Sequence, residues 1–173
     1  LHGENSLQKK YDFITTPVVN IYFELLYEAA TIHRENNDPS EVQVSTLLSI
    51  KTGGCPENCS YCPQSIHHNT DLEPERLLTL DEVMTKASIA SQNGSTRFCM
   101  GAAWRNVKDN KQFDRVIDMV KGVNTLGMEV CCTLAIVPPQ QAERLKEAGL
   151  HAYNHNLDTS EGHYAEIITT RTY

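Results

Sequence analysis

The sequence has little that would suit it to a lipid or nucleic-acid surface. Its apolar runs are short, such as Val18-Val19 and Leu47-Leu48, and none reaches the length of a bilayer span. Positive charge is scarce: 15 Lys and Arg face 22 Asp and Glu, for a net charge of −7. That balance argues against nucleic acid or an anionic membrane as a partner, since both want a basic patch. A small anion can still be held by backbone N–H groups or one Arg. Residues 1–10 lack the charged start, apolar core and small-residue cleavage site of a secretory leader. Also missing are an initial Met, the first residue being Leu1, and any tail after Thr172-Tyr173. The chain therefore reads as truncated at both ends. What is present, 173 residues with 40% hydrophobic content, suffices for one soluble domain with a real core.

Six cysteines stand out against this background. An even count invites a disulfide framework, but that reading belongs to short secreted chains. Here Cys55, Cys59 and Cys62 crowd into eight positions, while Cys99, Cys131 and Cys132 sit in apolar segments. Metal binding is the better expectation.

The pattern between the cysteines is a repeat of strand and helix. A first helix is expected from Thr16-Pro17, with Ile21, Leu25, Ala29 and Ile32 at helical spacing, and Asn36-Asn37-Asp38-Pro39 stops it. Residues 1–40 thus form an N-terminal helical extension, read as a packing helix outside any site. Residues 41–173 form the main domain. Strands are expected at 42–50, 96–100, 128–136 and 150–156. Between them lie a helix at 79–92, opened by Thr79 with Glu82 as a capping box, and one carrying Phe113, Val116, Ile117, Val120 and Val123. A third, short helix runs through Ala142, Leu145 and Ala148. Gly94, Gly127 and Gly149 close the three helices just before the next strand, where a left-handed residue is wanted. Such alternation implies an α/β fold with a parallel sheet. Four units are half of an eight-unit barrel or most of a small doubly wound sheet. In a barrel, the long stretch 51–78 after the first strand would be a functional loop at the C-terminal face.

Cys55-Pro56-Glu57-Asn58-Cys59-Ser60-Tyr61-Cys62 is the strongest chemical signal. Three thiolates at this spacing can converge on one soft centre, and iron–sulfur clusters take such ligands. Gly53-Gly54 ahead of them allows close backbone approach, with N–H groups free to bond cluster sulfides. A structural zinc is the alternative, with His67 or His68 as fourth ligand, and metal-free thiols are another. Three ligands would leave one iron of a four-iron cluster open.

Period-two logic assigns the strand residues. Asn154, Asn156 and Asp158 share one face of the fourth strand, opposite Tyr153, His155 and Leu157. Three short polar groups in a row suit a ligand pocket or a solvated turn. His155 is expected to be packed. On the third strand, Val130, Cys132 and Leu134 face the helices, while Glu129, Cys131 and Thr133 face inward. Cys132 is then a small core residue. Cys99 on the second strand can meet Cys131.

The Cys-x-x-x-Cys-x-x-Cys loop, with Tyr61 before its last Cys, resembles the signature of radical S-adenosylmethionine (SAM) enzymes. Residues 42–65 (with Ser49-Ile50-Lys51-Thr52-Gly53-Gly54-Cys55-Pro56), 95–104 and 153–160 are similar to the biotin synthase family within them. The likeness covers nearly all of the chain beyond the first helix. It implies a (β/α)8 TIM-type barrel, of which this chain holds about the first four units plus an N-terminal helix. It further implies a 4Fe-4S cluster on Cys55, Cys59 and Cys62, with Tyr61, Ala102, Asn156 and Asp158 seating SAM. Asn154 and Asn156 would contact dethiobiotin. Cys99 and Cys131 would be two ligands of a 2Fe-2S cluster that donates sulfur, completed by a Cys and an Arg beyond residue 173. The implied reaction is sulfur insertion into dethiobiotin through a 5′-deoxyadenosyl radical. The cofactors supply the hard chemistry, so no protein acid–base or nucleophile set is expected.

A homodimer, a flavodoxin-like electron donor and a cytoplasmic location (mitochondrial in a eukaryote) follow from the same likeness. A fragment alone would be incomplete for turnover. Two departures from the family pattern, Ala135 in place of Gly and Cys132 in place of Met, read as small exchanges that touch no proposed ligand. Another radical SAM enzyme acting on a different small molecule, or a non-catalytic zinc-binding fragment, are the competing readings.

Overall fold

The computed structural model describes residues 22–173. Thr16, Pro17 and Ile21, expected to open the first helix, lie outside them. The chain divides into two units, Leu1–Val42 and Gln43–Tyr173. In the first, helix α1 spans Tyr22–Asn36. The Asn36 side chain donates to the Ile32 carbonyl at 2.7 Å at the helix end.

The second unit is a four-stranded parallel sheet in the order β1-β2-β3-β4. Its strands are β1 (Ser45–Lys51), β2 (Arg97–Ala102), β3 (Glu129–Thr133) and β4 (Ala152–Tyr153). Helices α2 (Leu80–Gln92), α3 (Lys111–Asn124) and α4 (Pro139–Glu147) cross between them. The fold is α/β, and the sheet is open, as a part of a TIM-type barrel must be.

Local sequence explains the elements. Thr79 and Glu82 form a reciprocal capping box at the start of α2. Asn110 caps α3, accepting from the Gln112 and Phe113 N–H groups. Gly94, Gly127 and Gly149 adopt φ of 85°, 75° and 90°, values open to Gly at little cost. Phe113, Val116, Ile117, Val120 and Val123 are all buried. They pack with Phe98, Met100, Val130, Cys132, Leu134, Val83 and Leu145 into one core. Each such large apolar side chain contributes about 1.5–3 kcal/mol of transfer free energy.

Two strands are shorter than their apolar patterns suggest, and the causes are linked. Strand β3 stops at Thr133 because Ala135 turns into the left-handed region, with φ 66°. The Tyr153 hydroxyl bridges this turn, donating to the Ala135 carbonyl at 2.5 Å and accepting from Leu134 N–H at 2.9 Å. The last ladder bond of β4 runs from Asn154 N–H to the Cys132 carbonyl, at 2.9 Å. Beyond it β3 offers no partner, so residues 154–158 leave the sheet. The pleat argument for Asn154, Asn156 and Asp158 therefore fails: they lie on a loop, and Asp158 itself has φ 69°.

Candidate functional site

The loop between β1 and α2 folds back on itself. Cys55 N–H donates to the Gln64 carbonyl and Ile66 N–H to the Cys55 carbonyl, both at 2.9 Å. Gly53 and Gly54 take φ of 69° and 67°. The close approach they permit is to Glu73 and Pro74, since a Cβ on Gly53 would stand 3.1 Å from Pro74 Cα. The Gly53 N–H is committed to Gln64 Oε1 at 3.0 Å. It is thus tied to protein, contrary to the expectation that it faces a cluster sulfide.

The three loop cysteines are free, with Cys59 buried and Cys55 and Cys62 half-buried. They line one cavity of about 230 Å³ together with Tyr61, Ala102, Asn156 and Asp158. Residues that carried no site expectation line it as well, Arg171, Thr133 and His155 among them. His155 is exposed, which corrects its reading as a packed residue. Asn154 does not line the cavity but donates to Asn156 Oδ1 at 3.2 Å, so the two asparagines do meet. Burial pushes the Cys55 and Cys59 thiols above their ordinary range, and Arg171 works against this at both.

The cavity wall is knitted by charge. The Asp158 carboxylate accepts from the Tyr61 hydroxyl and from Arg171 Nη2. Desolvation first, and then that Asp158 contact, push the Tyr61 phenol well above its usual value. Glu57 is 2% exposed, a rare state for a carboxylate. Its Oε1 makes no well-aligned hydrogen bond, yet lies 3.1 Å from Arg105 Nε and 3.9 Å from Arg171 Nη1. Asn58 ties the cysteine loop to the segment after helix α5 (Tyr164–Ile167). Its Oδ1 accepts from Thr169 N–H at 2.9 Å and Thr170 N–H at 3.2 Å, and its Nδ2 donates to Thr169 Oγ1 at 2.6 Å. Tyr164 and Ile168 pack on Cys59. Sequence reasoning missed Glu57, Asn58 and Arg171. The only signal for the first two was their place between ligand candidates, and for Arg171 there was none.

On the sheet, Cys99 and Cys131 are direct partners in the β2–β3 register, as are Arg97 and Glu129. Arg97 Nη2 pairs with Glu129 Oε2 at 2.7 Å. The Cys99 thiol is pushed up by burial and then by its hydrogen-bonded neighbour Cys131. Cys132 is fully buried among apolar side chains, which pushes its thiol up strongly. It is a core residue, as its strand position implied.

Among the described residues no three His, Cys, Asp or Glu side chains converge closely enough to hold one metal ion. His67 and His68 donate instead to the Pro56 and Cys59 carbonyls, at 3.1 and 2.9 Å. A multi-iron cluster spreads its corner thiolates more widely than one ion does. Three free thiols around one cavity, with polar and charged side chains on the remaining side, fit that larger group. Among the described residues no helix is long and apolar enough to cross a membrane.

The radical SAM superfamily profile matches residues 49–173. The biotin synthase of Cytophaga hutchinsonii is 65% identical over 150 residues, covering 87% of this chain and 44% of that protein. That of Christiangramia forsetii is 58% identical over 168 residues, covering 95% of this chain and 46% of the relative. That of Gloeobacter violaceus is 60% identical over 150 residues, covering 87% and 47%. The chain spans about half the length of the curated relatives it matches.

Proposed function

The chain belongs to the radical SAM superfamily, and from that membership we propose that it is the cluster-binding half of a biotin synthase, converting dethiobiotin to biotin. The observation that carries this is the set of three free thiols around a cavity that Asn156 and Asp158 also line. Cys55, Cys59 and Cys62 hold a 4Fe-4S cluster. Tyr61, Ala102, Asn156 and Asp158 seat SAM, and Asn154 with Asn156 contacts dethiobiotin. Cys99 and Cys131, paired across β2 and β3, are two ligands of a 2Fe-2S cluster. When bound, the two groups supply the electron that cleaves SAM and the sulfur that enters the product. The chain's own residues orient both organic ligands and keep water from the chamber. A homodimer, a flavodoxin-like donor and a cytoplasmic setting complete the reading.

Anaerobic reconstitution tests it. The full-length protein should take up four iron and four sulfide per chain at the loop cysteines, and adding SAM should change the electron paramagnetic resonance signal of that cluster. Zinc without sulfide, or a cluster spectrum indifferent to SAM, would refute the assignment. Replacing Cys99 and Cys131 by Ser should remove a separate two-iron signal. Retention of that signal would refute the ligand assignment, and its absence from the wild-type protein would favour a radical SAM enzyme with other chemistry.

A further inference from the structure

Arg171 is the cation around which the cavity wall is assembled. Its side chain is 14% exposed. Nε donates to the Tyr164 hydroxyl at 3.0 Å, and Nη2 donates to Cys59 Sγ at 3.7 Å. The same Nη2 pairs with Asp158 Oδ2, while Nη1 stands 3.9 Å from the buried Glu57. One guanidinium thus touches a cluster-ligand candidate, a carboxylate that lines the cavity, and the phenol that packs on Cys59. Asp158 needs such a hold. Its φ of 69° is costly for a non-Gly residue and persists only where surroundings over-determine it. Tyr61 and Arg171 grip its carboxylate from two sides.

We propose that Arg171 is a positioning residue that couples the cysteine loop to Asp158, setting both the affinity for SAM and the ease with which the cluster is reduced. The inference rests on the function proposed above and deepens it. Two physical effects underlie it. A cation and an N–H donor at a ligating sulfur withdraw electron density and raise the potential of the cluster. The planar fork of Arg spans acceptors that the single ammonium of Lys cannot reach together. Removing the charge also leaves Glu57 with Arg105 as its sole close cation among these contacts, and both changes make reduction harder.

The test uses R171Q and R171K in the full-length protein, reconstituted anaerobically. Iron and sulfide content, the cluster midpoint from a redox titration, and SAM affinity are measured for each. R171Q should keep its iron, shift the midpoint to more negative values, and bind SAM at least about tenfold more weakly, the usual scale for a lost orienting partner. R171K should restore the midpoint but not the affinity. Wild-type midpoint and affinity in an iron-replete R171Q would overturn the proposal. Should R171Q fail to hold iron, R171K decides, and a wild-type SAM affinity there overturns it equally. A wild-type protein without a four-iron cluster would instead defeat the function itself, so the two failures are distinguishable.

Discussion

Asn58→Ala should loosen the cysteine loop by an amount that follows from its contacts. The side chain makes four hydrogen bonds to Thr169 and Thr170: the three given above and one from Thr170 Oγ1 at 3.1 Å. A typical hydrogen bond contributes about 0.5–1.5 kcal/mol net. Three of these share one acceptor, and Asn58 is only half-buried, so the sum lies near the low end, about 2 to 4 kcal/mol. That cost falls on local opening of the loop from residues 167–171 and leaves the core untouched. Cys59 is 8% exposed and packed under Tyr164 and Ile168, so it reacts only when the loop lifts. At about 1.4 kcal/mol per tenfold, its alkylation in the metal-free protein should quicken by about thirtyfold to several hundredfold. Iodoacetamide labelling resolved by peptide mass spectrometry measures each thiol separately. Cys132, wholly buried in the core, should keep its slow rate and serves as the internal control. A Cys59 rate within about twofold of wild type, in a protein with an unchanged circular dichroism spectrum, would refute the clamp.

Ala135→Gly should stabilise the protein, because φ at this residue is 66°. Relief of about 1–2 kcal/mol of steric cost exceeds the extra chain entropy of Gly, and a thermal melt should rise by a few degrees. Cys132→Ser should lower stability by about 1–3 kcal/mol, since it places a hydroxyl in an apolar core. Cys131→Ser should instead cost iron with little effect on a denaturant midpoint, and the reverse outcome would invert the assigned faces. Glu82 has its pKa lowered from the ordinary 4.5 to about 2, by Arg76 first and the Thr79 cap next. Its contribution is therefore complete above about pH 4.5 and fades as pH falls towards 2. Glu82→Gln should flatten the loss of stability across that window, and an unaltered acid profile would count against it.

Most of the fold was legible because its signals are local. Thr79 and Glu82, the Phe113 stripe and the three glycines each act within a few residues of chain. The strand ends were not legible, because they depend on a contact between elements. The Tyr153 hydroxyl, 18 residues on from Ala135, holds the turn that ends β3, and that turn in turn frees residues 154–158 from the sheet. The same holds for Ala135 itself. As a departure from the expected Gly it looked innocuous, and only the backbone reveals its strain. In the site, closely spaced cysteines are found by eye, whereas Asn58, Glu57 and Arg171 meet across 112 to 114 positions. Ordinary polar residues so far apart leave no pattern to read. His155 was misjudged because an alternation argument was carried past the end of its strand.

Cys131 and Cys132 are neighbours along the chain yet live in different worlds, one beside Cys99 and one sealed among Phe, Val and Leu. Nothing but the up-and-down alternation of β3 separates them. Lengthening or trimming the crossovers leaves that separation untouched, so these connections are free to drift. Gaining or losing a single residue between Glu129 and Cys131 would swap the two sulfurs, turning Cys131 into the apolar core and Cys132 towards Cys99. Tolerance to insertion in this protein should therefore change abruptly at the boundary of each strand.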